Sequence, residues 1–403
     1  MRKIMVQFRE RTESMRVPAR KTVGLLAVCA ALSSGAVSYA ARAEEVTAET
    51  EYTEKLPVMG AHWTLVATDN NAYTLYDGDK GKILGTVPAD FEANLAVSSD
   101  RHTYYVATTM WTRGDHGDRE DFLQAYDART LDLTKEIAIP ARALSVFKQQ
   151  SLGLSNDGHW AYVFDMTPTT RVSVVDLHSG KVATDIDIPG CALEFPWAKG
   201  GFSSLCGDGS LTNVAYDGGT PKITHSHPFF DANEAPVFEQ SPSDTKNGIA
   251  YFITYDGKVF ETKLGPDAQP AASWGLTEAA GMKPAGRGVQ EMTWRPGGSE
   301  PFAFNAAQHR LYVLMHVGNY WTHKDPAKQV WVFDTQAHKL VNRIDLPEVA
   351  RAISVSQDAS PQIYAVSGSN HDAGKLIVVD TVTGKVLHSL EAGARPMSVV
   401  AGM

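Results

Sequence analysis

A β-rich phrase that recurs every forty to fifty residues is the feature that most constrains this fold. Each copy runs through alternating apolar residues to a turn, six of them with an aspartate at its start, and continues into a second extended run. Period-two alternation broken by Gly, Asp and Asn predicts strands joined by turns. The seven copies are TLYDGDKGKILGTV (74–87), LQAYDARTLDLTKEIAI (123–139), VSVVDLHSGKVATDIDI (172–188), LTNVAYDGGTPKITHS (211–226), the weaker GKVFETKLGPDAQPAASW (257–274), VWVFDTQAHKLVNRIDL (330–346) and LIVVDTVTGKVLHSL (376–390).

Other strand-like runs separate these phrases, so that each period holds about four short strands, the unit of a propeller blade. We therefore expect an all-β fold, a seven-bladed β-propeller with four-stranded antiparallel blades. Segments 62–68 and 396–402 are predicted to share a blade and close the ring. The gap at 274–330 predicts an insertion with one helical turn. Two stacked β-sandwiches are the alternative, which the even run of the repeat disfavours.

The N-terminus reads as an export signal. Positive residues precede a short apolar run at 23–37, and Ala41-Arg42-Ala43 offers small residues where a signal peptidase cuts. We expect a signal peptide at 1–43, an N-terminal extension at 44–59, a propeller domain at 60–403 and a periplasmic location. A membrane anchor is the alternative. Cleavage would change the net charge from −9 to about −15, which disfavours nucleic acid as a partner.

Two cysteines remain after that cleavage. Cys191 and Cys206 stand fifteen positions apart, and an oxidising compartment predicts a disulfide between them. The second cysteine leads into Gly207-Asp208-Gly209, which predicts a turn directly after the strand that carries Cys206. Two cysteines are too few for a structural zinc site.

Catalytic motifs are missing from the sequence: there is no Gly-x-Ser-x-Gly elbow, no P-loop and no dinucleotide fingerprint. His225 and His227 lie two apart on a predicted strand, but two ligands do not make a metal site, and surface histidines are the simpler interpretation. His316 and His323 either bracket a pocket or pack in an aromatic loop. We expect no catalytic residue, no metal ligand and no cofactor-binding residue in this chain.

Several phrases, at matching spacings over almost all of residues 60–400, resemble the heavy subunit of bacterial methylamine dehydrogenase, a family related to the aromatic amine dehydrogenase heavy subunit. They are GDREDFLQAYDARTL (117–131), CGDGSL (206–211), GTPKITHS (219–226), WRPGG (294–298), THKDPAKQVWVFDT (322–335) and ISVSQD (353–358). The cysteine pair also falls where that family has one.

The resemblance implies a seven-bladed heavy chain that pairs with a small, disulfide-rich light subunit, two copies of each forming a periplasmic heterotetramer. The light subunit carries tryptophan tryptophylquinone and the carboxylate that takes the substrate proton. The assembly deaminates a primary amine, here most simply methylamine, to aldehyde and ammonia, and electrons pass to a blue copper protein such as amicyanin. By this resemblance the present chain holds no redox centre.

One position carries a functional hint from the resemblance. Phe91 matches a family phenylalanine that projects toward the partner's active site and lines the substrate channel, whereas a phenylalanine packed under the next blade is the alternative. Residues 115–119 and 319–321 depart from the family pattern at places where contact with the light subunit is expected. Two other functions stay open: a stand-alone periplasmic propeller that acts as a binding or scaffold protein, and an enzyme with its own site in the central channel.

Overall fold

The computed structural model describes residues 55–68, 71–90, 92–143, 148–368, 373–394 and 398–401. These residues belong to one compact unit, Thr53–Met403. The predicted signal peptide at 1–43 and the candidate channel residue Phe91 lie outside the described residues.

The described residues form strands almost throughout, with one four-residue helix, α1 (Leu276–Ala279), in the predicted insertion and a 3-10 turn at Gln149–Ser151. The first eleven strands are β1 (Trp63–Thr68), β2 (Ala72–Asp77), β3 (Lys82–Pro88), β4 (Asn94–Val97), β5 (Thr103–Trp111), β6 (Arg119–Asp127), β7 (Leu133–Ile139), β8 (Leu152–Leu154), β9 (Trp160–Asp165), β10 (Arg171–Asp176) and β11 (Lys181–Asp187). The next eight are β12 (Cys191–Pro196), β13 (Gly201–Cys206), β14 (Leu211–Ala215), β15 (Lys222–His225), β16 (Ser243–Asp244), β17 (Ile249–Ile253), β18 (Lys258–Lys263) and β19 (Trp274–Gly275). The remaining strands are β20 (Thr293–Pro296), β21 (Phe302–Asn305), β22 (Arg310–Gly318), β23 (Ala327–Asp334), β24 (Lys339–Val355), β25 (Gln362–Ser367), β26 (Ala373–Asp380), β27 (Val386–Ala394) and β28 (Ser398–Ala401).

These strands pair into antiparallel sheets of the predicted kind. Five sheets have four strands each, in the orders β28-β1-β2-β3, β4-β5-β6-β7, β8-β9-β10-β11, β12-β13-β14-β15 and β16-β17-β18-β19. The sixth sheet has eight strands, β20 to β27, with β21 paired to β22. The chain is therefore an all-β propeller with four-stranded antiparallel blades, as the repeat predicted.

The expected count of seven separate blades is not reproduced, because one strand continues from one repeat into the next. β24 is seventeen residues long. Its first part pairs with β23, for example Ile344 with Val330, and its last part pairs with β25, for example Ile353 with Ala365. Since no break in hydrogen bonding separates the last two repeats, they form a single eight-stranded sheet.

The two ends of the propeller meet in the first sheet. β28 pairs antiparallel with β1, with partners running from Thr64–Ala401 to Ala67–Ser398. The prediction that segments 62–68 and 396–402 share a blade is confirmed over these residues. This pairing covers an edge of the first sheet that would otherwise present free N–H and C=O groups.

The repeated aspartate holds the turn between the third and fourth strand of a repeat. The Asp77 carboxylate accepts the backbone N–H groups of Asp79 and Lys80, each at 3.0 Å. The residue four positions after the aspartate takes left-handed backbone angles, for example Gly81 at φ 60°. The same two features recur at Asp127, Asp176, Asp334 and Asp380. These local bonds explain why the phrase is repeated.

The core lies between neighbouring sheets. One cluster joins Leu123 of the second sheet to Val163 of the third, and another joins Phe195 of the fourth to Phe252 of the fifth. A single sheet leaves both faces uncovered, so each sheet buries its apolar faces against its neighbours.

Because neighbouring strands run in opposite directions, the connections between strands lie on two opposite faces of the propeller. We call the face with the aspartate turns, between third and fourth strands, the Asp-turn face. The opposite face carries the connections between second and third strands and the crossovers to the next sheet, and we call it the crossover face. It includes residues 89–90 and 92–93 and the segments 112–118 and 319–326.

Candidate functional site on the crossover face

The segment that carries Phe91 crosses from β3 to β4, and the structure fixes the residues next to it. Tyr73 Oη donates a hydrogen bond of 3.0 Å to the Ala93 carbonyl. Arg142 Nη1 donates one of 2.9 Å to the Glu92 carbonyl. Glu92 has left-handed backbone angles, with φ at 48°. The backbone that follows Phe91 is therefore held from two sides.

Arg142 belongs to a buried polar network between the second sheet and this segment. Its side chain is only 2% exposed, and its Nε donates to Thr109 Oγ1 at 2.9 Å. Thr109 in turn donates to Asp121 Oδ1 at 2.6 Å. Arg119 donates to both carboxylate oxygens of Asp121, each at 2.8 Å. Burial lowers the pKa of Arg142 to about 10, with the Asp121 charge acting against the shift, so the guanidinium stays charged at neutral pH.

Four large apolar side chains are exposed on the same face. Trp321 is 59% exposed, Val317 50%, Met292 62% and Val289 80%. Pairing of β20 with β22 brings the two stretches that carry them together, because Thr293, which follows Met292, lies opposite Gly318, which follows Val317. An exposed apolar group of this kind is typical of a protein–protein contact.

Buried side chains beneath Trp321 set its position. Tyr320 is 4% exposed, and its hydroxyl donates to the Glu234 carbonyl at 2.7 Å. The Arg295 guanidinium lies 5.5 Å from the centre of the Tyr320 ring and donates from Nε to the Gly318 carbonyl at 3.1 Å. Burial lowers the pKa of Arg295. Because its neighbour is anchored inward, Trp321 is turned outward.

The two histidines of this region pack against neighbouring side chains. His316 Nε2 lies 2.8 Å from Thr322 Oγ1, and the His323 ring stacks on Tyr255 with centroids 3.9 Å apart. Burial lowers the pKa of both imidazoles. Of the two interpretations left open by the sequence, aromatic packing is the one that these contacts support.

The two segments for which the sequence analysis expects contact with a light subunit, 115–119 and 319–321, both lie on the crossover face. Residues 115–118 are exposed in the connection between β5 and β6, where His116 Nδ1 is 2.7 Å from Asp115 Oδ1. Asn319 begins the connection between β22 and β23. The topology thus brings these segments, the residues on either side of Phe91 and the exposed apolar group to one side of the propeller.

The predicted disulfide is confirmed. Cys191 of β12 and Cys206 of β13 are directly opposite partners and are joined by a bridge. Thr212 Oγ1 lies 3.2 and 3.1 Å from the two sulfurs, and Asp208 accepts the backbone N–H of Ser210 at 3.0 Å to form the predicted turn. The bridge is nearly buried and lies beside the connection 207–210 between the second and third strands of the fourth sheet.

Metal-ligating side chains come together elsewhere. His225 and His227 are both exposed, and Thr212 Oγ1 is 3.1 Å from His225 Nδ1. In the part of the chain that the structure describes, three ligating side chains meet on the Asp-turn face: His159, Asp176 and His178. The sequence analysis missed this group, because no motif joins residues of two different turns.

The Arg142 network was missed for a similar reason. Arg119 and Asp121 stand inside a phrase that carries the family resemblance, but Arg142 lies in a crossover with no pattern of its own.

Among the described residues, no helix is long and apolar enough to cross a membrane.

Comparison with known proteins agrees along nearly the whole unit. The family model described as methylamine dehydrogenase heavy chain (MADH) matches residues 58–403. A methylamine dehydrogenase heavy chain from Methylophilus methylotrophus is 31% identical over 339 residues, covering 82% of this chain and 79% of its own length. One from Paracoccus versutus is 28% identical over 326 residues, covering 80% and 74%.

A solved structure supports the fold alone. A dihydro-heme d1 dehydrogenase, NirN, in complex with DHE aligns with a TM-score of 0.50 at 12% identity, covering 86% of this chain and 76% of that one.

Proposed function

Because this chain belongs to the methylamine dehydrogenase heavy chain family, we propose that it is the cofactor-free heavy subunit of a periplasmic amine dehydrogenase. The assembly deaminates a primary amine to aldehyde and ammonia, with methylamine as the preferred substrate. Electrons then pass to a blue copper protein such as amicyanin. The observation that carries this proposal is the family match over residues 58–403.

The proposal includes seven blades. The eight-stranded sheet comprises two of them, which share β24 as the outer strand of the sixth and the inner strand of the seventh. Seven repeated phrases, each folded as an antiparallel strand pair, support this count.

Export through a signal peptide at residues 1–43 belongs to the same proposal. The buried bridge between Cys191 and Cys206 supports it, since disulfides persist mainly in oxidising compartments.

A small cysteine-rich light subunit binds to the crossover face in this proposal, two of each chain forming the assembly. The apolar group Val289, Met292, Val317 and Trp321 is suited to burial by such a partner. Tryptophan tryptophylquinone on the light subunit supplies the carbonyl chemistry that oxidises the amine.

This chain's own contribution is to shape the approach to that group. Arg142 and Tyr73 fix the carbonyls of Glu92 and Ala93, and thereby the segment that presents Phe91 to the partner. An aromatic wall at that point excludes water and limits the size of the amine. Positioning of this kind requires a rigid backbone, which the buried network provides.

The first test is partner capture in the native host. The tagged full-length chain should co-purify with a short, cysteine-rich chain and a quinone absorbance. Purification of this chain alone as a stable protein, with no amine oxidation in the host extract, would favour the stand-alone binding protein instead.

The second test separates the two faces. Trp321→Ser should reduce recovery of the light subunit, because it removes the largest exposed apolar side chain of the crossover face. Val382→Ser is the matched control, since Val382 is 77% exposed in a turn of the Asp-turn face. Equal loss in both variants, or in neither, contradicts the proposed docking face.

The channel role is tested by kinetics. Phe91→Ala should change the ranking of methylamine against longer primary amines, measured as kcat/KM for each. An unchanged ranking excludes Phe91 from the channel wall while leaving the subunit assignment intact.

A further inference from the structure

Three side chains on the Asp-turn face converge in the third sheet. One ligand atom from each of His159, Asp176 and His178 lies within 4.8 Å of the others. His159 Nε2 is 3.9 Å from Asp176 Oδ1, and the two imidazole centroids are 4.9 Å apart. Asp176 is 25% exposed and His159 45%, so solvent ions reach the group.

Backbone bonds hold the two histidines in place. The His159 carbonyl accepts the N–H of Leu177 at 3.0 Å, which ties the turn before β9 to the turn after β10. Asp176 Oδ1 accepts the N–H of His178 at 2.9 Å. The His159 ring is stacked on Trp160 with centroids 4.2 Å apart. The backbone of both histidines is therefore held in place before any ion binds.

Other sheets of the propeller repeat this architecture with different side chains. The carbonyls of His62, His102 and His309 accept the corresponding hydrogen bond. In each case the donor is the backbone N–H of the residue that follows the repeated aspartate. In the first sheet the side chains of the two equivalent positions do meet, because His62 Nδ1 lies 2.7 Å from Asp79 Oδ1. The residues equivalent to His178 in these three sheets are Asp79, Arg129 and Gln336.

Among these four sheets, the third therefore has imidazoles at both positions beside the aspartate. A histidine that served the turn alone would need no second imidazole, as the sheet with His309, Asp334 and Gln336 illustrates. From this difference and the convergence of ligand atoms, we propose that His159, Asp176 and His178 form a binding site for a divalent transition-metal ion, of which Zn²⁺ is the representative.

The donor set has the right chemistry for such an ion. Two neutral imidazoles and a carboxylate suit Zn²⁺, Cu²⁺ and Ni²⁺ better than Mg²⁺ or Ca²⁺, which prefer oxygen. Ligand atoms around tetrahedral zinc are about 3.4 Å apart, given bonds of about 2.1 Å, so the partly exposed side chains need to move by less than about 1 Å. Water completes the coordination.

The neighbouring charge is compatible with a cation. Lys135 Nζ approaches from the second sheet and donates to the carbonyls of Leu177 and His178 at 3.2 and 3.4 Å, so its positive charge faces two carbonyl dipoles on the backbone. Asp176 supplies a negative charge next to both imidazoles.

The test is titration of the mature chain, purified from cells after export, with Zn²⁺ alone at neutral pH. Calorimetry should show one equivalent bound with a dissociation constant on the order of 10 µM or tighter. His178→Gln, which copies the residue of the sixth sheet, should weaken binding by about tenfold or more. Failure of the wild-type chain to bind, or equal binding by the variant, overturns the site.

A gain-of-site variant gives an independent check. Gln336→His, made together with Arg310→Gln because Arg310 pairs with the Asp334 carboxylate at 2.8 Å, puts an imidazole at the position equivalent to His178 and should add a second equivalent of bound Zn²⁺. The variant His225→Gln/His227→Gln controls for the other close histidine pair and should leave the stoichiometry unchanged. Loss of the bound ion in that control, or no added equivalent with Gln336→His/Arg310→Gln, refutes the geometric reasoning.

Discussion

Reduction of the bridge between Cys191 and Cys206 should destabilise the propeller by a predictable amount. The bridge closes a loop with a sequence separation of 15. In the chain-entropy model such a loop is worth about 3 kcal/mol at 25 °C, because the cross-link restricts the unfolded chain. For a unit of about 350 residues, the unfolding entropy near 60 °C is about 0.7 kcal/mol per kelvin, so the expected fall in Tm is about 4 °C.

Both sulfurs are nearly buried, so the reduced form is best prepared by unfolding the wild-type chain in reductant and refolding it. Calorimetry or circular dichroism then compares oxidised wild type, reduced wild type and Cys191→Ala/Cys206→Ala. Comparing the two wild-type forms isolates the bridge. The alanine variant should lose slightly more than the reduced form, because Thr212 Oγ1 then loses its contacts with both sulfurs.

Equal Tm values for oxidised and reduced wild type would refute this reasoning. That result would mean that the hairpin β12–β13 is already closed in the unfolded chain, so that the cross-link removes no further freedom.

Three further variants test the pairing of β28 with β1, the contacts of His62 with two carboxylates, and the hydrogen bond from Arg142 to the Glu92 carbonyl. Deletion of residues 398–403 should lower the free energy of unfolding by about 2 kcal/mol or more, because β1 loses its partner strand; an unchanged Tm contradicts closure through this pair. Burial lowers the pKa of His62, but the carboxylates of Asp79 and Asp358 outweigh it and leave the pKa above the usual 6.5. This stabilisation is present below about pH 6.5 and is lost as the pH rises through the folded pKa, so His62→Gln should cost more stability at about pH 5.5 than at about pH 8.5. A cost that does not change with pH excludes the charged form. Arg142→Met should cost on the order of 2 kcal/mol in urea unfolding and shift the amine ranking in the same direction as Phe91→Ala; a stability loss without any shift in ranking would limit Arg142 to a structural role.

Much of the fold could be predicted because its signals are local. Alternation of apolar residues decides which segments are strands, and an aspartate that bonds two nearby N–H groups decides where a strand pair turns. Both signals act within about twenty residues. The seven phrases, the all-β class and the turn at Asp208 could therefore be predicted from the amino-acid sequence. The bridge between Cys191 and Cys206 was predictable as well, because only two cysteines remain beyond the predicted signal.

Contacts between distant segments were beyond the sequence. Arg142 bonds the carbonyl of Glu92, fifty residues away, only because the second sheet packs against the crossover from the first. His159 and His178 meet because two turns of one sheet lie side by side. The continuity of β24 depends on hydrogen bonding to β23 and β25 rather than on its own residues.

Strands, turns and family membership could all be read from the order of residues. Three features emerged only from the folded chain: the connections that share a face, the side chains exposed on that face, and the histidines that converge on the other face. The physical reason is that strand and turn preferences depend on neighbours along the chain, whereas a binding surface depends on how whole sheets stack around the ring.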